Sequence, residues 1–143
     1  MITGFRHTGI VVSDMDAAES FWCDVMGFSV SRRMEESGSY IDVMLNLNGA
    51  KVTTLKLAAP DGTLIELLKF YSHPDDEMWS GAVYQTGLTH IALTVDDVEV
   101  EYRRLIDLGV VFIAQPQQSP DGAALVTFCK SPEGTLIELV EML

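Results

Sequence analysis

Two histidines and two glutamates recur in this chain in the same order: His7 then Glu66, and His90 then Glu138. Each histidine opens a short apolar stretch (HTGIVV, HIALTV). Each glutamate lies in the hexapeptide GTLIEL, which occurs twice, at residues 62–67 and 134–139. Imidazole nitrogens and carboxylate oxygens together make a good donor set for a divalent transition ion. Four such donors suit a five- or six-coordinate ion with positions left for water or substrate. Taken singly, none of the four is telling. A histidine at the start of a strand is more often a half-exposed structural residue, and a strand glutamate often just faces water in period-two alternation. The recurrence favours ligation, although duplication preserves structural residues as well as ligands.

Positioning these four groups requires a repeated frame, and the sequence contains one. After each histidine-led strand comes a cluster of helix-capping oxygens, Ser13-Asp14 in one half and Asp96-Asp97 in the other. A helix is expected from Met15 to Met26, stopped by Gly27, and another from Val98 to Leu108, stopped by Gly109. Val98, Tyr102, Leu105 and Leu108 mark the buried face of the second helix. Strands are then expected at Phe28–Met34, Tyr40–Leu47 and Val52–Ala59, and in the second half at Val110–Ala114 and Ala124–Cys129. Each set ends in a GTLIEL strand entered from a Pro-acidic-Gly turn. Each half thus reads βαβββ, an α+β arrangement, with modules at 1–72 and 87–143 joined by a polar linker at 73–86. From His7 to Glu66 is 59 positions and from His90 to Glu138 is 48; the extra 11 fall around Glu35–Ala50. If the first and last strands of each half are neighbours in a curved sheet, His7 and Glu66 share one concave face and His90 and Glu138 another. Packed face to face, the halves would bring the four together. Parity agrees, since Glu66 shares a side with Leu64, Leu68 and Phe70, and His90 with Leu88, Ala92 and Thr94.

Composition narrows the partners. With 48% hydrophobic residues in 143, the chain can bury a proper core. Its 9 basic against 21 acidic side chains give a net charge of −12, which opposes binding to nucleic acid or an anionic membrane. No apolar run approaches the roughly 20 residues of a membrane span, and no secretory signal is seen, so a cytoplasmic location is expected. Cys23 and Cys129 have no metal-type spacing and are expected to be free, buried thiols.

The motifs HTGIVVSD, MGF, PDGTLIEL, THIALTVDD and SPEGTLIEL together resemble the vicinal oxygen chelate superfamily, which includes glyoxalase I, methylmalonyl-CoA epimerase, extradiol dioxygenases and the fosfomycin- and bleomycin-resistance proteins. The resemblance covers nearly the whole chain. It implies paired βαβββ modules forming a U-shaped, partly open mixed-sheet cleft with helices outside, usually as a homodimer. By position, His7, Glu66, His90 and Glu138 match the four metal ligands of glyoxalase I. This implies one divalent ion per site, Ni, Zn, Co, Mn or Fe, and a small-molecule substrate. The implied activity is that of a metal-dependent lyase or isomerase moving a proton next to a carbonyl, in a small carbonyl compound or thioester, through a metal-stabilised enediolate. Glu138 or Glu66 is the candidate catalytic base, with Glu138 preferred. The arginine and asparagine that bind glutathione in bacterial-type glyoxalase I are replaced here by Val11 and Phe70. That argues against lactoylglutathione as substrate. Two rival readings are a metal-free binding protein of the bleomycin-resistance kind, and a dioxygenase or epoxide-opening enzyme with three protein ligands. Of the adjacent Arg32 and Arg33, only one can face the cleft, where it could hold a carboxylate or phosphate; a solvated edge strand is the plainer reading. Met78, Trp79 and Tyr84 could form an apolar lid or dimer contact, or simply pack on the core. His73 is expected to be exposed and not a ligand.

Overall fold

The computed structural model describes residues 1–74 and 82–143. The chain divides into two compact units, Met1–Glu77 and Met78–Leu143. Each is built on a four-stranded mixed sheet with helical segments beside it, the α+β architecture expected. Among the described residues no helix is long and apolar enough to cross a membrane.

In the first unit, strand β1 (Thr8–Val11) leads into helix α1 (Met15–Ser20). Asp14 caps that helix, its carboxylate accepting from the amides of Asp16 and Ala17. The helix then widens into a π turn over Phe21–Val25 before Gly27 turns the chain at φ 80°. The wider turn lets two sequence-adjacent aromatics, Phe21 and Trp22, both be buried. Trp22 meets Phe21 and Phe28 edge to face. Strands β2 (Ser29–Ser37), β3 (Lys51–Ala58) and β4 (Leu64–Phe70) complete the sheet, in the order β1-β4-β3-β2. Leu55, Leu57, Ile65 and Leu67 are buried at alternate positions, so one face of this sheet carries the core.

The segment Tyr40–Leu47 is not a strand. Ser39–Leu45 forms helix α2, closed by Asn46 in the left-handed region. A short apolar run fits strand or helix equally well by periodicity, and tertiary context decides. Here Asp42 decides it. Its carboxylate accepts from the amides of Gly49 at 3.0 Å and Ala50 at 2.7 Å, folding the loop back on the helix. Ile41, Ala50 and Val52 are buried together, with Leu47, Leu68 and Phe70 packed against them. The extra length of the first half is therefore a helical insertion seated on one end of the sheet.

The second unit repeats the plan. Strand β5 (His90–Thr94) precedes helix α3 (Val98–Asp107), capped by Asp97. Val98 and Leu105 are buried, but Leu108 is exposed, because it is the capping residue and has left the helical path. The amide of Val98 also donates to Glu141 of the last strand, tying the helix to the sheet. Strands β6 (Gln117–Gln118), β7 (Ala124–Lys130) and β8 (Leu136–Met142) give the order β5-β8-β7-β6. The expected strand at Val110–Ala114 is reduced to one bridge, Phe112 to Cys129. Beyond it Thr127 takes the Ala114 carbonyl by its side chain. The register against β7 then shifts by two residues before Gln117 pairs with Val126.

Both cysteines are free, Cys129 fully buried and Cys23 partly so. Burial pushes the Cys129 thiol up to about 12. A thiol reagent at pH 8 should therefore modify Cys23 in the folded chain and Cys129 only after denaturant is added. Because the folded-state value lies above the unfolded one, this group's share of stability is intact below pH 9.0 and declines as pH rises toward about 12. Replacing Asp42 with alanine should cost about 1–3 kcal/mol. It should also speed amide exchange at Gly49 and Ala50 while leaving β4 protected, which hydrogen-exchange mass spectrometry would resolve.

Candidate functional site

In each unit the first and last strands pair in parallel. Gly9 is the partner of Glu66 and Ala92 the partner of Glu138. The register sets each histidine two residues before the glutamate's partner, on the same side of the sheet. Ile65 and Leu67, on the other side, anchor β4 in the core, and Ile137 and Leu139 do the same for β8. The apolar residues of GTLIEL thus clamp the strand while its glutamate projects from the opposite face.

The side chains meet in both units. His7 Nε2 lies 3.1 Å from Glu66 Oε2, and His90 Nε2 lies 3.4 Å from Glu138 Oε2. Two donors on one ion, with bonds of about 2.1 Å, stand about 3.0 Å apart at a right angle and about 3.4 Å apart at the tetrahedral angle. Both pairs therefore have the separation of adjacent ligands. His7 Nδ1 is buried with no hydrogen-bond partner among the described residues, whereas His90 Nδ1 contacts the Thr89 hydroxyl at 2.9 Å. His73 is exposed, and its Nδ1 contacts the hydroxyl of Ser72, which itself accepts from the Lys51 amide. Tyr84 is exposed. Met78 and Trp79 lie outside the described residues.

The two pairs differ in a third neighbour. Lys56 Nζ lies 3.2 Å from Glu66 Oε1, so both oxygens of that carboxylate are engaged. Lys56 is Glu66's cross-strand partner in β3, and in the second unit Phe128 is the partner of Glu138. The Phe128 ring meets His90 edge to face, with centroids 5.5 Å apart. Sequence reasoning missed both residues. A signal was available: each lies ten positions before its glutamate, in matching places relative to the Pro-acidic-Gly turn. Phe70, at one of the two places expected to serve glutathione, packs against the cluster formed by Ile41, Ala50 and Val52, and Val11, at the other, is exposed.

Known proteins resemble this chain over nearly its whole length. Residues 4–139 match the family described as Glyoxalase/Bleomycin resistance protein/Dioxygenase superfamily. The chain belongs to that superfamily. Among curated members, a probable lactoylglutathione lyase of Vibrio cholerae is 30% identical over 140 residues, covering 94% of this chain and 88% of that one. A probable lactoylglutathione lyase of Synechocystis is 25% identical over 138 residues, covering 94% and 92%. A solved superfamily structure, a glyoxalase family protein from Bacillus cereus, superposes with a TM-score of 0.90 at 25% identity, covering 100% of this chain and 96% of that one.

The unequal surroundings of the two glutamates lead to a test on metal-free protein. Glu66 is 13% exposed and bonded to a lysine that is 25% exposed, so Glu66→Gln leaves a half-buried ammonium without its counter-charge. Denaturant unfolding should show a loss of about 1–3 kcal/mol for Glu66→Gln. For Glu138→Gln, whose carboxylate has no lysine partner among the described residues, the change should stay within about 0.5 kcal/mol.

Proposed function

We propose that this chain is a divalent-metal-dependent lyase or isomerase of the glyoxalase type, binding its ion through His7, Glu66, His90 and Glu138. The observation that supports it is the His–Glu pair found in both units at the separation of adjacent ligands. The donor set is nitrogen and oxygen without thiolate, which suits Ni, Zn, Co, Mn or Fe. A bound divalent ion would supply Lewis acidity toward the oxygen of a substrate carbonyl.

The chain's own residues supply the base. Glu138 takes a proton from the carbon beside the carbonyl and returns it to the same or the neighbouring carbon. It suits this role better than Glu66 because its one hydrogen-bonding or ion-pair partner among the described residues is His90, at 3.4 Å. Glu66 is held from both sides, by His7 and Lys56, and acts as a fixed anchor. Two curated relatives are named as probable lactoylglutathione lyases, which supports the lyase reading. Val11 and Phe70, however, offer no polar group for a glutathione arm, so the substrate is a smaller carbonyl compound or another thioester. A homodimer acting on a small molecule, with no nucleic-acid or membrane partner, completes the proposal.

Metal content decides it. Tag-free protein reconstituted with each ion in turn should hold about one ion per chain, and Glu66→Ala and Glu138→Ala should each lower the affinity at least tenfold, since losing even a group that merely hydrogen-bonds to a ligand costs about 10–100-fold. Retention by Glu66→Ala with loss in Glu138→Ala would replace the four-ligand set with three. Failure of the wild type to bind any of the five ions would sink the enzymatic reading in favour of a metal-free binding protein.

A further inference from the structure

Arg32 and Arg33 are adjacent on β2, and strand alternation sends them to opposite faces. A bulge in β2 decides which goes where. The pairing with β3 runs Val30 to Leu57 and then Arg32 to Lys56, leaving Ser31 as the extra residue. Without that extra residue Arg32 would oppose Leu55 on the core face. With it, Arg33 opposes Leu55 and reaches Glu19 of α1, while Arg32 opposes Lys56 on the face that carries His7 and Glu66. Bulges re-aim side chains in this way, often beside functional sites.

The result is a row across the sheet of Arg32, Lys56, Glu66 and Gly9, one residue from each strand. Two cations stand directly opposite each other, which destabilises a sheet. Only one carboxylate in the row offsets them, and Lys56 occupies it. Arg32 is exposed and has no hydrogen-bond or ion-pair partner among the described residues. Charges on an edge strand discourage edge-to-edge pairing, but that purpose does not require placing one cation against another. In a chain of net charge −12, this leaves one unneutralised positive charge on the same sheet face as the His7–Glu66 pair, two strands from Glu66.

We infer that Arg32, with Lys56 beside it, forms an oxyanion subsite that holds a carboxylate or phosphate group of the substrate. The guanidinium fork matches two oxygens of either group, and Lys56 adds a point charge at its side. That the anion belongs to a substrate rests on the function proposed above; that an oxyanion binds here does not.

The test is an NMR titration of the full chain, without added metal, with inorganic phosphate and separately with malonate. Saturable shifts centred on the amides around Arg32 and Lys56 are expected, with at least fivefold weaker binding in Arg32→Gln. Arg33→Gln and Arg103→Gln, the latter an exposed arginine on α3, remove the same charge and should bind as the wild type does. Tighter malonate than phosphate would mark a carboxylate subsite, and the reverse a phosphate one. Equal weakening by the control variants, unchanged binding by Arg32→Gln, or no saturation with either anion would overturn the inference. Because no metal or turnover is involved, these outcomes are independent of whether the metal proposal survives.

Discussion

Parallel pairing between the first and last strand of each unit is the constraint on which everything else rests. Parallel neighbours cannot be joined by a tight turn, so the chain must leave the sheet, cross a face as a helix and return through other strands. That detour separates His7 from Glu66 and His90 from Glu138 in sequence while the sheet restores them to contact. The crossover helix covers one face, which must then be apolar. The opposite face is left for the histidine and glutamate, in the first unit alongside apolar Leu68 and Phe70. A carboxylate in the middle of the last strand is tolerated because its neighbours on either side are fastened beneath the helix.

Much of this was legible because its signals are local. Asp14 and Asp97 announce helix starts, Gly27 and Gly109 announce stops, and the two GTLIEL strands carry their own turn chemistry. The histidine and glutamate pairing followed from reading one half against the other. What was misread depended on tertiary contacts that hydrophobic periodicity does not encode. Tyr40–Leu47 is apolar enough for a strand, yet it forms a helix whose Asp42 binds the loop at Gly49 and Ala50 and whose Ile41 packs with Ala50 and Val52. Val110–Ala114 has strand composition, but one bridge forms before the register against β7 shifts. Lys56 stayed unseen because its importance lies across a strand boundary. The choice between Arg32 and Arg33 turned on a single extra residue in β2, which shifts every later side chain to the other face.

Comparing the halves also shows where duplication has been kept and where it has been abandoned. Backbone instructions persist: the capping aspartates, the stop glycines, the turn before each last strand. The chemical surroundings of the glutamates have diverged, with an ammonium beside one and an aromatic edge near the histidine of the other. The two His–Glu pairs hold matching places in their units and yet differ in their electrostatic surroundings.

The strand order carries one more implication. β1 and β5 lie at the margins of their sheets, while β4 and β8 are flanked on both sides. The histidines therefore ride on marginal strands and the glutamates on interior ones. Marginal strands open at lower free energy than flanked ones. Anything that grips a histidine and a glutamate at once acts as a suture across that boundary. Part of its binding energy would be spent in slowing the fraying of the rim, so occupancy could be read from the motion of backbone amides far more readily than from any change of shape.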